Sequence, residues 1–380
     1  MSGVPAKKPK GYRAIAETLF AEIREGKYAP GDPFPSLTAL MRRFGVSRIT
    51  AKRAVDDLKR RRVVRVEPRS GATVTEENRM IGMIVLSESP LFQDICSMLS
   101  GLCQQAGYAL LLGMATTGDS AERARRAKEC AEDFAERGVT GVIFQPIGCL
   151  PDADRFNAEI TETLRQRGIP LVLLDGDIVP VPERSGFDTI EIDNYEAGSR
   201  LARHILSMRP KATIAFLSTP YGTHAGELRR DGIRTAAVNL GGRETLLNCD
   251  FDDPAALAAL LRKVQPDAVI CAHDALAART APALRAIGRR IPEDVLLASF
   301  DDTPIAAAMD PPLTVIRQSS KELARMAFAT LMQRIVKPQL PPHRVLLEAP
   351  LVIRRSTSVG LRCAVSGTKS VRKAGSANSV

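Results

Sequence analysis

The chain has 380 residues but no Trp, and aromatic residues make up only 4% of it. A binding site built mainly on stacked rings is therefore disfavoured. The seven Cys (96, 103, 130, 149, 249, 271 and 363) are odd in number and form no CxxC pair. That argues against a disulfide framework and fits reduced thiols. The four His (204, 224, 273 and 343) are scattered without metal-ligand spacing, so no metal and no other cofactor is expected. Apolar runs such as IGMIVL and PLVLLD fall far short of the roughly 20 residues that span a bilayer, so no membrane partner is expected. The basic start MSGVPAKKPKGYR is not followed by an apolar signal core, which points to the cytoplasm. Nucleotide-binding and hydrolase signatures are missing too. No GxGxxG opens the larger part of the chain, LGGRE near 240 stands in the wrong context, and there is neither a GxSxG nor a P-loop. The chain does not read as an enzyme.

What is present is charge, unevenly spread. Residues 1–79 carry 18 Lys and Arg against 9 Asp and Glu, a net +9. Residues 354–380 carry six basic groups and no acidic one, which leaves −5 of the total +10 for the body between them. A basic head on an acidic body points to a polyanion met by the head. The tail, 357–380, is rich in Ser, Gly, Ala, Lys and Arg and is expected to be disordered.

Three helical patterns open the head. Tyr12, Ile15, Ala16, Leu19 and Ile23 share one stripe, and Gly26 ends the run. After the turn APGDPFP, Ser36 is a good N-cap for the stripe Leu37, Leu40, Met41 and Phe44, and Gly45 suits the far end. Ser47 can cap the third pattern, whose apolar stripe is Ala51, Ala54, Val55 and Leu58. Arg48, Thr50, Lys52 and Arg53 fall off that stripe, in its first two turns. Two helices joined by so short a turn have the helix-turn-helix layout, in which the start of the second helix enters the DNA major groove. Two short β-branched runs then flank a turn with Pro68 and Gly71. That predicts a hairpin wing with Arg69 near its tip.

The stretch YRAIAETLFAEIREGKYAPGDPFPSLTALMRRFGVSRITAKRAVDDL, followed by SGATV, resembles the winged-helix domain of GntR-type bacterial transcription regulators. The resemblance rests on the PGD-x-x-PS turn, the GVSR-x-T helix start and the wing Gly. It implies a DNA-binding domain over 1–75, with Arg48, Thr50 and Lys52 contacting DNA. Ser36, Thr38, Ser47, Arg53, Arg69 and Gly71 complete the expected surface. Leu37 and Thr38 replace an Arg or Glu-Arg pair of the family, and Arg62 replaces its usual Gly before the wing. The operator is therefore expected to differ from the family's common one.

From residue 80 on, β-type runs alternate with helix-type runs. The strand candidates are MIGMIVLS, YALLLGMA, GVIFQPI, PLVLLDGD, TIEIDN, TIAFLST, ETLLNCD, DAVICAHD and VLLASFDD, with helices between them, such as 120–137, 154–167, 195–207 and 254–263. Strands apolar throughout and separated by helices imply parallel sheets in an α/β fold. Nine such units exceed one ordinary sheet, so two doubly wound lobes are expected, divided near 178–190. Ser87, Asp175, Asp193, Ser218, Asp274 and Asp301 stand at strand ends, where open α/β sheets bind ligands. Each Asp taken singly reads equally well as a cap of the helix that follows. The set together reads as the lining of an interlobe cleft for a polyhydroxylated ligand.

The segments EIDNYEAGSRLARHIL, ELRRDGIRTAA, IPEDVLLASFDDTP and PPLTVIRQ make the body similar to the effector domain of LacI-type regulators, which is periplasmic-binding-protein-like. The resemblance spans 81–356, with 76–80 as a linker. It implies ligand contacts from Ser87, Phe92, Asp175, Arg229, Asp301 and Gln318. His273 stands where that family often has a small polar group, next to Asp274. Phe92, Tyr221 and Phe300 are the rings available for stacking. The resemblance also implies that the chain crosses back near 313–318, with LTVI entering the first lobe and HRVLLEAPLVIRRS ending in the second. Head and body together imply a homodimeric transcription regulator, a repressor associated with the nucleoid. It would bind a near-palindromic double-stranded operator and respond to a small-molecule effector, a sugar or sugar derivative. A nucleoside, a sugar acid and a phosphorylated sugar stay open, as does induction against co-repression.

Overall fold

The computed structural model describes residues 11–24, 26–60, 63–67, 71–75, 79–148, 150, 152–180, 182–219, 222–248 and 253–358. The expected tip of the wing (Arg69), Tyr221 and the tail from 359 onward lie outside the described residues.

The head consists of α1 (Tyr12–Arg24), α2 (Leu37–Phe44), α3 (Arg48–Arg60), β1 (Val64–Glu67) and β2 (Gly71–Val74). Its core joins the three apolar stripes: Ile15, Leu19 and Phe20 meet Leu40 and Phe44, and Ala51, Ala54 and Leu58. Ser36 caps α2 by accepting the Ala39 N–H at 3.2 Å, and Gly45 ends it at φ +66°, a conformation that glycine adopts freely. Arg43 on α2 ion-pairs with Glu22 on α1, and the guanidinium holds that carboxyl below its ordinary range. β1 and β2 pair antiparallel from Val64↔Val74 to Glu67↔Gly71. The PGD turn lies on the same ribbon, with the Phe34 N–H donating to the Ala72 carbonyl at 2.7 Å.

Beyond the head come β3 (Met80–Val85), α4 (Pro90–Gln105), β4 (Ala109–Met114), α5 (Ser120–Arg137), β5 (Gly141–Phe144), α6 (Ala153–Gln166), β6 (Leu171–Leu174) and β7 (Asp188–Ile192). Then follow α7 (Asn194–Met208), β8 (Thr213–Ser218), α8 (His224–Asn239), β9 (Arg243–Asn248), α9 (Pro254–Val264), β10 (Ala268–Cys271), α10 (Asp274–Ala286), β11 (Leu296–Asp301), α11 (Pro304–Ala308) and β12 (Thr314–Arg317). The described residues end with α12 (Ser320–Val336), β13 (Arg344–Leu347), β14 (Leu351–Val352) and a short 3-10 turn, Arg355–Thr357. All nine apolar runs are strands. With β12, β13 and β14 they form two six-stranded sheets, ordered β13-β7-β6-β5-β3-β4 and β14-β12-β11-β10-β8-β9. Every pairing is parallel except β12 with β14. The inner strands β5, β6, β7, β10 and β11 are buried along their whole length, as parallel strands covered on both faces must be.

The described residues form two compact units, drawn from 1–193, 221–225 and 319–348, and from 194–220, 226–318 and 349–380. Two expectations need correction. The segment 178–190 is not the divide, because β7 pairs with β6 and β13 in the first sheet, and the chain leaves that unit only after Asp193. LTVI does not enter the first lobe either. β12 pairs with β11, Ser299 opposite Val315, so it closes the second sheet. The return is made by α12 and β13, and only Leu351–Val352 of HRVLLEAPLVIRRS goes back to the second sheet. Thr357, placed in the tail by sequence, is buried. Its hydroxyl lies 2.8 Å from His204 Nε2 and 2.7 Å from the Thr314 hydroxyl.

Candidate functional site

In the head, Ser47 Oγ accepts the Thr50 N–H at 3.3 Å and lies 3.0 Å from the Thr50 hydroxyl, which fixes the start of α3. Arg48, Lys52 and Arg53 are exposed there, Thr50 is half-buried, and Thr38 is exposed on the first turn of α2. Ser36 is occupied as a cap, and Gly71 opens β2 at φ +88°. The start of α3 thus offers basic side chains and the positive end of a helix dipole on one open surface, a combination suited to an acidic polymer. Arg48→Ala is expected to weaken operator binding by roughly 1–3 kcal/mol, with relaxed preference at one base position, as read by titrating a panel of point-substituted duplexes. An unchanged preference would remove Arg48 from base readout.

The second unit gathers its polar groups at the carboxyl ends of β10, β11 and β12. Arg229, 6% exposed, donates from Nε to Asn194 Oδ1 at 2.9 Å and from Nη1 to the Ala272 carbonyl at 2.7 Å. Its guanidinium lies 4.5 Å from the centroid of the Phe300 ring, so the face of Phe300 that was expected to be available for stacking carries Arg229 instead. Asp301 ends β11 at φ +105°, and Asp302 follows at φ +65°. Aspartate tolerates this left-handed region better than most residues, but holding two in a row there costs free energy, a pattern that clusters at binding sites. Gln318 Nε2 donates to Asp301 Oδ1 at 2.6 Å. Gln318 is 5% exposed, and its Oε1 has no hydrogen-bond partner among the described residues.

His273 accepts the Leu276 N–H on Nδ1 at 3.3 Å and so caps α10. The ring proton is then on Nε2, which makes that nitrogen a donor. Burial pushes the His273 pKa down, against the pull of the Asp301 carboxylate, and the ring is neutral at pH 7. Asp274 was expected among the ligand contacts, but its carboxylate is taken up internally. It accepts from the Ser299 hydroxyl, from the Thr303 N–H at 2.7 Å and from the Thr303 hydroxyl at 2.9 Å, and so braces α10 against the end of β11.

Burial, reinforced by the Asp301 charge, raises the Asp274 pKa to about 6 from an ordinary 3.8. The folded chain therefore binds this proton more tightly than the unfolded chain. The resulting stabilisation is full below pH 4 and is lost as pH rises through 6. Asp274→Asn, which cannot ionise, is expected to gain about 3 kcal/mol on the wild type between pH 4 and 7. Denaturant melts at both pH values measure this, and a pH-independent difference would contradict it.

In the first unit, Gln145 Oε1 accepts the Leu86 and Ser87 N–H groups at 2.9 and 3.1 Å, and Ser87 Oγ accepts from the Ser89 N–H at 3.2 Å. Asp175 follows β6 at φ +69°. Phe92, expected as a ligand contact, is only 4% exposed and packs with Val85, Leu91 and Ile95, so its ring belongs to the apolar core. Asn194, which orients Arg229, was not singled out by sequence.

Residues 11–74 match the model of bacterial regulatory proteins of the gntR family, and residues 203–357 match a periplasmic binding protein-like domain. The transcriptional repressor PurR of Vibrio cholerae is 30% identical over 292 residues, which cover 73% of this chain and 80% of PurR. The transcriptional regulator MalR of Streptomyces coelicolor is 28% identical over 317 residues, covering 80% and 86%. Among solved structures, a complex of the transcriptional regulator CelR with cellobiose superposes with a TM-score of 0.62 at 23% identity, over 81% of this chain and 90% of that one. The chain therefore belongs to the LacI-type DNA-binding transcription regulators, with a gntR-family winged head in place of the usual one.

Proposed function

We propose that the protein is a cytoplasmic, homodimeric repressor whose hold on a near-palindromic operator is switched by a sugar or sugar derivative. The observation that carries the effector reading is the buried Oε1 of Gln318, set beside Asp301 and without a partner among the described residues. A buried acceptor left unmade costs about 1–3 kcal/mol, and a ligand hydroxyl would satisfy it. His273 Nε2 and Arg229 add donors and Asp301 adds an acceptor, the mixture that a polyol uses. The opposite charges of Arg229 and Asp301 favour a neutral effector over a phosphorylated one. Ser87 and Asp175 are the expected contacts from the first unit. The cellobiose bound to CelR supports the same class of ligand. The dimer reading is supported by exposed apolar groups on the edge strand of the first sheet, Leu112 and Met114 on β4, and on the last turn of α8 and just beyond it, Val238 and Leu240, next to the edge strand of the second sheet. A two-fold dimer would cover such patches on both copies at once.

A thermal-shift screen against sugars, sugar acids, polyols and nucleosides tests the reading. A true effector at 100 times its dissociation constant adds about 2.7 kcal/mol. Operator affinity is expected to change with that compound by about 5- to 150-fold, a fall marking an inducer and a rise a co-repressor. Asp301→Ala is expected to keep DNA binding and lose both the thermal shift and the switch. A variant that still responds fully would refute the assignment of Asp301.

A further inference from the structure

Ile49 is 67% exposed on the first turn of α3. A single exposed aliphatic group is ordinary on a protein surface, but the position of this one is not. At 100° per residue, Ile49 lies about 170° from the centre of the buried stripe Ala51, Ala54, Val55 and Leu58, so it points straight away from the core. Lys52 and Arg53, three and four residues on, are its neighbours on that outer face, and both are exposed. Arg48 precedes it, and Asp56, one turn beyond Lys52, brings negative charge back to the face. An apolar side chain framed by cations is poorly matched to water. Isoleucine is also a weaker helix former than the residues that usually fill a solvated first turn. The frame does match a DNA major groove, where phosphates flank the bases and the thymine C5-methyl is the apolar feature of the base edges.

We propose that Ile49 reads a thymine methyl, one per operator half-site, beside the base contacted by Arg48. The inference rests on the reading that the start of α3 enters the major groove. Exclusion of water from one methyl by the Ile49 side chain would make thymine preferred at that position over the other three bases. Removing a single carbon from the contact should cost about fourfold in affinity, the factor that corresponds to about 0.8 kcal/mol per buried carbon.

The test uses the full-length protein and a duplex selected by it from a random-sequence pool. Each thymine is replaced in turn by deoxyuridine, which deletes only the methyl. Ile49→Ala should fold normally, because the position is exposed and alanine is the better helix former. At one thymine per half-site, the deletion should weaken the wild type about fourfold and leave Ile49→Ala unaffected, and Ile49→Ala should bind the parent duplex at least fourfold more weakly. If Arg48→Ala relaxes base preference but every uridine substitution acts equally on wild type and Ile49→Ala, the Ile49 inference is overturned. If Arg48→Ala also leaves the preference intact, the major-groove placement of α3 has failed, and the Ile49 inference falls with it.

Discussion

Gly232→Ala is expected to destabilise the second unit by about 3 kcal/mol or more and to abolish the effector response. The reason is the crossing of α7 and α8. A Cβ at Gly232 would lie 2.0 Å from the Tyr195 carbonyl oxygen and 2.9 Å from the Ser199 nitrogen. From the other side, a Cβ at Gly198 would lie 2.1 Å from the Arg229 carbonyl oxygen. These neighbours are backbone, so no rotamer change relieves the clash and the helices must part. Arg229 sits on α8 and is oriented by Asn194 at the start of α7, so parting the helices breaks the 2.9 Å hydrogen bond between them. Because Gly198 and Gly232 report one contact, the double alanine variant should cost much less than the sum of the two. Gly101 on α4 is the control. Nothing lies within 4 Å of a Cβ built there, so Gly101→Ala should be neutral or stabilising by about 0.5–1 kcal/mol. Urea melts of Gly198→Ala, Gly232→Ala, the double variant and Gly101→Ala, each repeated with the screened effector, measure both effects. A Gly232→Ala protein with a wild-type melt would show that the two helices do not meet so closely.

The head was legible because its signals are local. Ser36, Gly45 and Ser47 mark helix ends within four residues of the groups they serve, and the apolar stripes repeat at the helical period. The nine strands were legible for a similar reason, since a fully apolar run between turns fits a covered parallel strand. Sheet membership was not. LTVI is as apolar as an inner strand of either sheet, and only its pairing with β11 decides the matter. Side-chain roles were harder still. Phe92 follows the first strand where the family's ligand contact falls, yet its helical spacing with Ile95 and Leu99 also suits the core, and the core holds it. Asp274 stands at a strand end as a ligand contact would, but it accepts from Ser299 and Thr303, 25 and 29 residues away. Arg229 was found through resemblance, while its partners Asn194 and Phe300 are 35 and 71 residues distant in sequence. Local patterns carry no record of pairs that meet only in the folded chain. Ile49 went unnoticed for another reason: its value is its exposure, and an apolar letter in a helix reads by default as core.

Asp188→Ala is expected to lower the stability of the first unit by about 3–5 kcal/mol, the range for breaking a buried ion pair from one side. Asp188 opens β7 and is 2% exposed. Arg334, in the last turn of α12, reaches it with two donors, Nε at 2.7 Å and Nη2 at 3.0 Å. The same guanidinium also donates to the carbonyls of Pro338, Leu340 and Pro341, and the His343 N–H donates to Asp188 Oδ1 at 2.8 Å. The pair thus fastens the returning helix, the loop after it and the start of β13 to the strand beside which β13 must add. Removing the carboxylate leaves a mostly buried cation without its counter-charge and leaves the His343 N–H without its acceptor. At roughly 2–4 °C per kcal/mol, the melting transition of this unit should fall by about 6–20 °C. Asp188→Ala and Arg334→Met should be far from additive, because each alone strands its partner while the double variant buries no unpaired charge. Thermal melts of the two single variants and the double variant provide that cycle. Additive losses would mean that the two residues stabilise the unit separately, and that the returning segment is held in place by the apolar packing of α12 alone.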